Sequence, residues 1–364
     1  MKVFDKTKLS PPYYLRLYEE LRDEIIAGDY PCGRKLPGKR QIAEELGLSL
    51  VTVEHALSLL TEEGYVSPRE RSGYFVTFTE NAGFRTPGAP LPTVPFSQSA
   101  APDSDALDFS VLAKNMRRVI ADAGDALLAK SPNAGCPQLQ SALAAYLGRS
   151  RGLAVQPERI VIGAGAEYLY SLLVQIFGRE KTYAMETPAY EKIEQVYAAN
   201  DVRRVLLPLG SDGVESEALW ACRADVLHIT PYRSFPSGVS ATAAKRREYI
   251  RWANAGDRFI IEDDFESEFT PSTKAEETVY SLSDKENAVY LNTFSKTVAP
   301  SLRIGYMLLP PRLQALYEER AGFYSCTAPV FDQLLIARLL QNGDFERHIN
   351  RVRRKKRREI EKMP

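Results

Sequence analysis

The stretch AVYLNTFSKTVAPSLRIGYMLL (288–309) decides how the chain is read. Two apolar, β-rich runs, 288–292 and 304–309, enclose a polar turn. That turn carries Lys296, with hydroxyls at Thr293 and Ser295 before it and Arg303 seven residues after it. A lysine that condenses with a carbonyl needs a neutral amine, and so a desolvated or cation-flanked setting. Hydroxyls beside an arginine can hold a phosphate. Alone, Ser-Lys behind a strand reads more readily as a solvated lysine. Upstream, the runs 159–162, 182–186, 204–207, 226–230 and 259–262 also have strand character, with helical patterns between most of them. This alternation predicts an α/β body with a seven-stranded, mostly parallel sheet covered by helices. Ligands on such a sheet bind at the carboxyl ends of strands.

Three further pieces of chemistry fall at those ends. FIIEDD (259–264) closes a strand in paired carboxylates, and a strand-end carboxylate such as Asp263 can keep a pyridine nitrogen protonated. IGAGAE (162–167) joins a strand to a helix, so the amides of Ala166 and Glu167 can face a phosphate. It is not a dinucleotide fingerprint, because Tyr168 stands at the third glycine position. ETPAY (186–190) puts Tyr190 just past a strand, suited to stacking on a flat ring.

Length and composition set the frame. At 364 residues the chain is long for one domain and predicts two or three. Lys+Arg and Asp+Glu are both 47, so bulk charge gives no argument for a polyanion partner. MKVFDKTKLS (1–10) has no apolar run, and no stretch is long and apolar enough to span a membrane. Cys32, Cys136, Cys222 and Cys326 are widely spaced, which fits a reducing, cytoplasmic setting and no disulfide framework. The histidines are as scattered, so no structural metal is expected.

Three zones follow: residues 1–79, helix-patterned; 80–107, rich in Pro, Ser, Ala and Gly and read as a semi-extended linker; and the α/β zone, 108–364. In the first zone Tyr14, Leu17, Tyr18, Leu21 and Ile25 recur at helical spacing, with Gly28 as a stop. A short helix over about 39–46, a turn at 47–49 and an apolar stripe of Val53, Ala56, Leu57 and Leu60 make a helix-turn-helix, with Ser49 as N-cap. The runs 65–66 and 73–76 flanking SPRERS read as a hairpin wing.

Residues 12–76 resemble the GntR family of winged-helix regulators, through GRKLP (33–37), Arg40, Ala43, Leu46-Gly47, Ser49, Thr52-Val53 and Glu63-Gly64-Tyr65. The resemblance implies double-stranded DNA as partner, with Arg34, Lys35, Lys39 and Arg40 on phosphates or groove and Ser49 and Thr52 near base edges. Two departures weaken it: Gly38 replaces a usual Ser, and Leu50 replaces a usual Arg. Residues 1–78 hold eleven Lys or Arg against twelve Asp or Glu, a net of −1. A winged helix serving only protein contacts is the competing reading.

Residues 135–310 are similar to the large domain of fold type I aminotransferases, through the ordered glycine turn, Tyr190, the turn 231–238, Asp263 and Lys296. Together the two halves resemble the MocR subfamily of GntR regulators. That resemblance implies pyridoxal 5′-phosphate held as an aldimine on Lys296. Asp263 would pair with the pyridine nitrogen and Tyr190 would stack on the ring. The Ala166 and Glu167 amides, Thr293, Ser295 and Arg303 would hold the phosphate. It further implies a small amino-compound effector and a head-to-tail homodimer. Phe235 stands at the usual aminotransferase Asn, and Phe265 where the subfamily usually has Tyr. The segment 108–111 is shorter than the family's equivalent. A small domain carrying the arginine that grips a substrate carboxylate would follow residue 364. The basic run 351–358 reads as a solvated helix face more readily than as a nucleic-acid patch. The expected function is a PLP-dependent transcription regulator; an active aminotransferase and a degenerate family member are the alternatives.

Overall fold

The computed structural model describes residues 12–70, 72–79, 105–270, 277–284 and 286–361. They fall into two compact units, one on each side of segment 80–104. Most of the expected linker therefore lies outside the described residues.

In the first unit α1 (Tyr13–Ala27), α2 (Lys39–Leu46) and α3 (Leu50–Glu62) precede a hairpin of β1 (Val66–Arg69) and β2 (Gly73–Val76). The helical stripe of α1 buries Leu17, Tyr18, Leu21 and Ile25 against Val53, Ala56, Leu57 and Leu60 of α3. Tyr14 leaves that core and stacks on His55, ring centroids 3.9 Å apart. Gly28 and Gly47 end α1 and α2 in the left-handed conformation that favours glycine. The wing is longer than expected. Ser67, Pro68 and Arg69 belong to β1, with Pro68 opposite Tyr74. A two-stranded ribbon tolerates proline where its missing N–H faces no partner, so the proline hides this strand from a sequence reading.

The second unit opens with α4 (Phe109–Ala123) and α5 (Pro137–Arg151). The sheet strands are β3 (Ile160–Gly163), β4 (Thr182–Thr187), β5 (Arg203–Gly210), β6 (Gly213–Val214), β7 (Val226–Ile229), β8 (Phe259–Asp263), β9 (Ala288–Thr293) and β10 (Gly305–Leu308). Between them run α6 (Ala166–Phe177), α7 (Glu191–Ala199), α8 (Ser216–Ala221), α9 (Ala243–Ala255) and α10 (Val279–Leu282). After them come α11 (Pro311–Arg320), α12 (Val330–Gln341) and α13 (Asp344–Glu361). The order is β3-β10-β9-β8-β7-β4-β5-β6. β4, β5, β7, β8 and β9 run parallel, and β10 runs against both β3 and β9. All seven expected strands are present. The eighth, β6, is a two-residue hairpin arm on β5, too short to leave an apolar run.

β3, β7, β8, β9 and β10 are buried on both faces, as a helix-covered sheet requires, whereas β5, near the sheet edge, is mostly exposed. Leu139, Leu143 and Leu147 of α5 pack on one face with Leu335, Ile336 and Leu339 of α12. Leu169, Leu173 and Ile176 of α6 pack on the other. The basic run is more than a solvated face. α13 buries Phe345, His348, Ile349 and Val352. Its Arg351 binds Asp108 at 2.5 Å and its Lys355 binds Asp105 at 2.8 Å. The start of the second unit is thereby clamped, so 105–107 belongs to that unit and not to a linker.

Candidate cofactor site and nucleic-acid interface

Because five strands are parallel, their carboxyl ends share one edge of the sheet. β3 ends there too, and the antiparallel β10 starts there. All eight residues read as cofactor contacts line one cavity of about 380 Å³ at that edge: Ala166, Glu167, Tyr190, Asp263, Thr293, Ser295, Lys296 and Arg303. They come from four strand exits, those of β3, β4, β8 and β9, and from the entry to β10, which explains how positions 137 residues apart in the chain can meet.

The anion-facing end is built first by backbone. Gly165 has φ 86° and ψ 176°, a conformation essentially restricted to glycine. It precedes α6, whose first-turn amides have no carbonyl partner within the helix. A Cβ on Gly165 would stand 2.9 Å from the guanidinium of Arg303. The bare glycine lets Arg303 lie across the helix start, where it pairs with Glu167. Lys192 of α7 reaches the same carboxylate at 3.0 Å. Thr293 donates to the Ile304 carbonyl at 3.1 Å and accepts from the Ser295 amide at 3.2 Å, and Ser295 donates to the Leu302 carbonyl at 3.3 Å. These bonds fold the Lys296 turn back on itself, so hydroxyls, lysine and arginine face one space. Helix amides, two hydroxyls and a guanidinium fit a phosphate, which would compete with Glu167 for Arg303.

The other end is acidic. Residues alternate across a strand, so Asp263 enters the cavity while Glu262 and Asp264 take the opposite face. Asp264 binds Arg151 at 2.5 Å and accepts from Tyr290 at 2.8 Å. Glu262 accepts the amides of Val279 and Tyr280 at 2.9 and 2.8 Å, and burial pushes it up to about 7. The pair seen in the sequence thus splits into one cavity carboxylate and one structural anchor. Asp263 is buried. Tyr170 donates to its Oδ2, and His228 Nε2 lies 3.7 Å from the same oxygen. Its Oδ1 has no hydrogen-bond partner among the described residues. A buried, unsatisfied carboxylate oxygen is costly, and it fits a ring N–H arriving from the cavity.

Tyr190 packs edge-on to Phe235, centroids 6.3 Å apart, and both line the cavity with Phe265. Tyr170, Ile193 and Thr230 also line it and were not picked out in the sequence. Tyr170 had a readable signal: it lies four residues after Ala166, hence on the same helix face.

In the first unit, Arg34 and Lys35 sit on a strand-like segment bonded to the wing: Val76 N–H donates to the Arg34 carbonyl at 2.9 Å. Lys39 and Arg40 begin α2, and all four cations are exposed. Ser49 caps α3 by accepting the Thr52 amide at 3.1 Å, as the sequence predicts. Lys39 is tied to Glu54 of α3 at 2.5 Å, so its charge is partly neutralised where it was expected to meet phosphate.

The pattern of bacterial regulatory proteins of the gntR family matches residues 13–76, and that of aminotransferase class I and II matches residues 94–362. The HTH-type transcriptional regulator YdeL of Bacillus subtilis is 31% identical over 95% of this chain and 77% of its own length. The probable rhizopine catabolism regulatory protein MocR of Rhizobium meliloti is 28% identical over 94% and 74%. The solved α-aminoadipate aminotransferase LysN of Thermus thermophilus, complexed with N-(5′-phosphopyridoxyl)-L-leucine, is 24% identical. It covers 70% of this chain and 65% of its own, with a TM-score of 0.62. The chain thus spans about two thirds of the length of that aminotransferase, and the likeness establishes the fold. A winged helix and an aminotransferase-like body in one chain define an HTH-type transcriptional regulator. The chain belongs to the GntR family of bacterial regulatory proteins and, within it, to the MocR-type regulators that carry an aminotransferase class I and II domain. Among the described residues no helix is long and apolar enough to cross a membrane.

Proposed function

We propose that the protein binds pyridoxal 5′-phosphate in the cavity at the carboxyl edge, senses an amino compound there, and alters its grip on operator DNA. One observation carries this reading: Asp263, whose buried Oδ1 has no hydrogen-bond partner among the described residues, lines the same cavity as Lys296, Arg303 and the start of α6. The bound cofactor would supply an aldehyde for an amine and an electron-withdrawing ring. Lys296 would hold that aldehyde, and Asp263 would keep a proton on the ring nitrogen. Tyr190 would cover one ring face. Thr293, Ser295, Arg303 and the amides of Ala166 and Glu167 would bind the phosphate.

Phe265 and Phe235 give the cavity apolar walls without a donor, so the site binds and orients more readily than it moves protons. That favours sensing over transamination. An effector can shift DNA affinity only by binding two arrangements of the protein differently. A head-to-tail homodimer supplies two such arrangements. Arg34, Lys35, Lys39 and Arg40 would meet the DNA backbone, and Ser49 and Thr52 would stand near the bases.

The test is an absorption titration with the cofactor. A band that forms in the wild-type chain and is lost in Lys296→Ala supports the reading, and a colourless wild type at saturating cofactor ends it. Conversion to the pyridoxamine form with amino acids would favour an enzyme. Duplexes from the chain's own gene neighbourhood test the DNA half, and affinity no greater than for a random duplex at low salt would refute it.

A further inference from the structure

Behind Asp263 stands a buried polar chain. Tyr170 of α6 donates its hydroxyl to Asp263 Oδ2. On the same oxygen, 3.7 Å away, lies Nε2 of His228 from β7, a nitrogen with no hydrogen-bond partner among the described residues. The other ring nitrogen, Nδ1, lies 2.7 Å from the hydroxyl of Tyr197 on α7. All four side chains are buried.

The tautomer follows from the charges. Burial holds the Tyr197 phenol far above its ordinary range, so it stays O–H and can donate to Nδ1. With Nδ1 accepting from Tyr197, the ring N–H that faces the carboxylate is the one on Nε2. The reverse arrangement would set a lone pair against a carboxylate oxygen. Burial and the Asp263 charge likewise keep Tyr170 protonated, so it is a permanent donor. Tyr170 bonds Oδ2, and His228 faces the same oxygen from 3.7 Å, an electrostatic contact longer than a hydrogen bond. Among the described residues, Oδ1 alone is left without a neighbouring donor.

We propose that Tyr170, backed by the His228–Tyr197 pair, is a positioning residue that fixes the Asp263 carboxylate so that Oδ1 is presented to the ring nitrogen of the bound cofactor. This rests on the functional reading above. It assigns to three residues a task that none of the sequence motifs marks. Tyr170 also lines the cavity, so one ring both touches the site and holds its acid.

The experiment titrates wild type, Tyr170→Phe and Tyr197→Phe with pyridoxal 5′-phosphate and with its 1-deaza analogue, which has carbon in place of the ring nitrogen. Binding is read by absorbance and tryptophan fluorescence. Tyr170→Phe should weaken pyridoxal 5′-phosphate by roughly ten- to a hundredfold, the usual worth of a hydrogen bond to a charged group. Tyr197→Phe should do so by a smaller factor. Neither should change affinity for the deaza analogue by more than about twofold. Equal losses on both ligands would overturn the proposal, since a merely structural role does not distinguish nitrogen from carbon. So would wild-type affinity for both in Tyr170→Phe. If Tyr170→Phe does not fold, Tyr197→Phe decides by the same comparison. A wild type that binds neither ligand overturns the functional reading itself, and this inference with it.

Discussion

Gly165→Ala isolates the step at which backbone geometry becomes chemistry. At φ 86° and ψ 176° an alanine is strained by about 1–3 kcal/mol. Its methyl would also stand 2.9 Å from a terminal guanidinium nitrogen and 3.2 Å from the central carbon of Arg303, closer than van der Waals contact. The guanidinium can swing away, so the steric part is relieved by losing its place over the α6 amides. Stability should fall by about 1–3 kcal/mol, or roughly 2–12 °C in Tm for a unit of this size. Cofactor affinity should fall by about tenfold or more, the worth of one charged hydrogen bond to phosphate. Differential scanning calorimetry and an absorbance titration read the two effects separately. Arg303→Ala is the control, losing the affinity without the backbone strain. Should Gly165→Ala melt and bind like wild type, the argument that a bare glycine makes room for the arginine is wrong.

Further outcomes follow from the same geometry. Lys296→Ala should abolish the cofactor band and any borohydride-trapped adduct while leaving the melting profile within about 0.5 kcal/mol, because the side chain is exposed. Ser49→Ala should cost about 1 kcal/mol at the α3 cap and lower operator affinity at every salt concentration with the salt slope unchanged, since no phosphate contact is removed. Burial, reinforced by the Asp263 charge and opposed by hydrogen bonds from Ser234 and the Thr230 backbone, pushes Glu186 from 4.5 up to about 7. Between those pH values the folded form holds a proton that the unfolded chain has released. The resulting stability is full below about 4.5 and lost as pH rises through about 7. Glu186→Gln should therefore flatten the fall in urea midpoint between pH 5 and 8, by at most about 3 kcal/mol; an unchanged slope would count against the buried acid.

What the sequence determined by itself is local. Apolar runs fixed seven strands, because strands covered by helices on both faces are rich in apolar residues. Ser49, Gly28 and Gly47 fixed helix ends, because their requirements involve only adjacent backbone. Lys296, Asp263, Tyr190 and the glycine turn were legible because each sits at a strand exit, and parallel strands bring their exits together. Tertiary structure decided what depends on partners distant in the chain. The two carboxylates of 263–264 look alike in sequence, yet packing gives one to the cavity and the other to Arg151. Lys39 reads as a phosphate contact until Glu54, on the next helix, takes part of its charge. The basic run 351–358 reads as solvated until Asp105 and Asp108 return to meet it. Tyr170, His228 and Tyr197 come from three separate elements, and only the packing of α6, α7 and β7 makes them a single support for one acid. Electrostatic energy depends on distance in space, and a linear sequence records distance only along the chain.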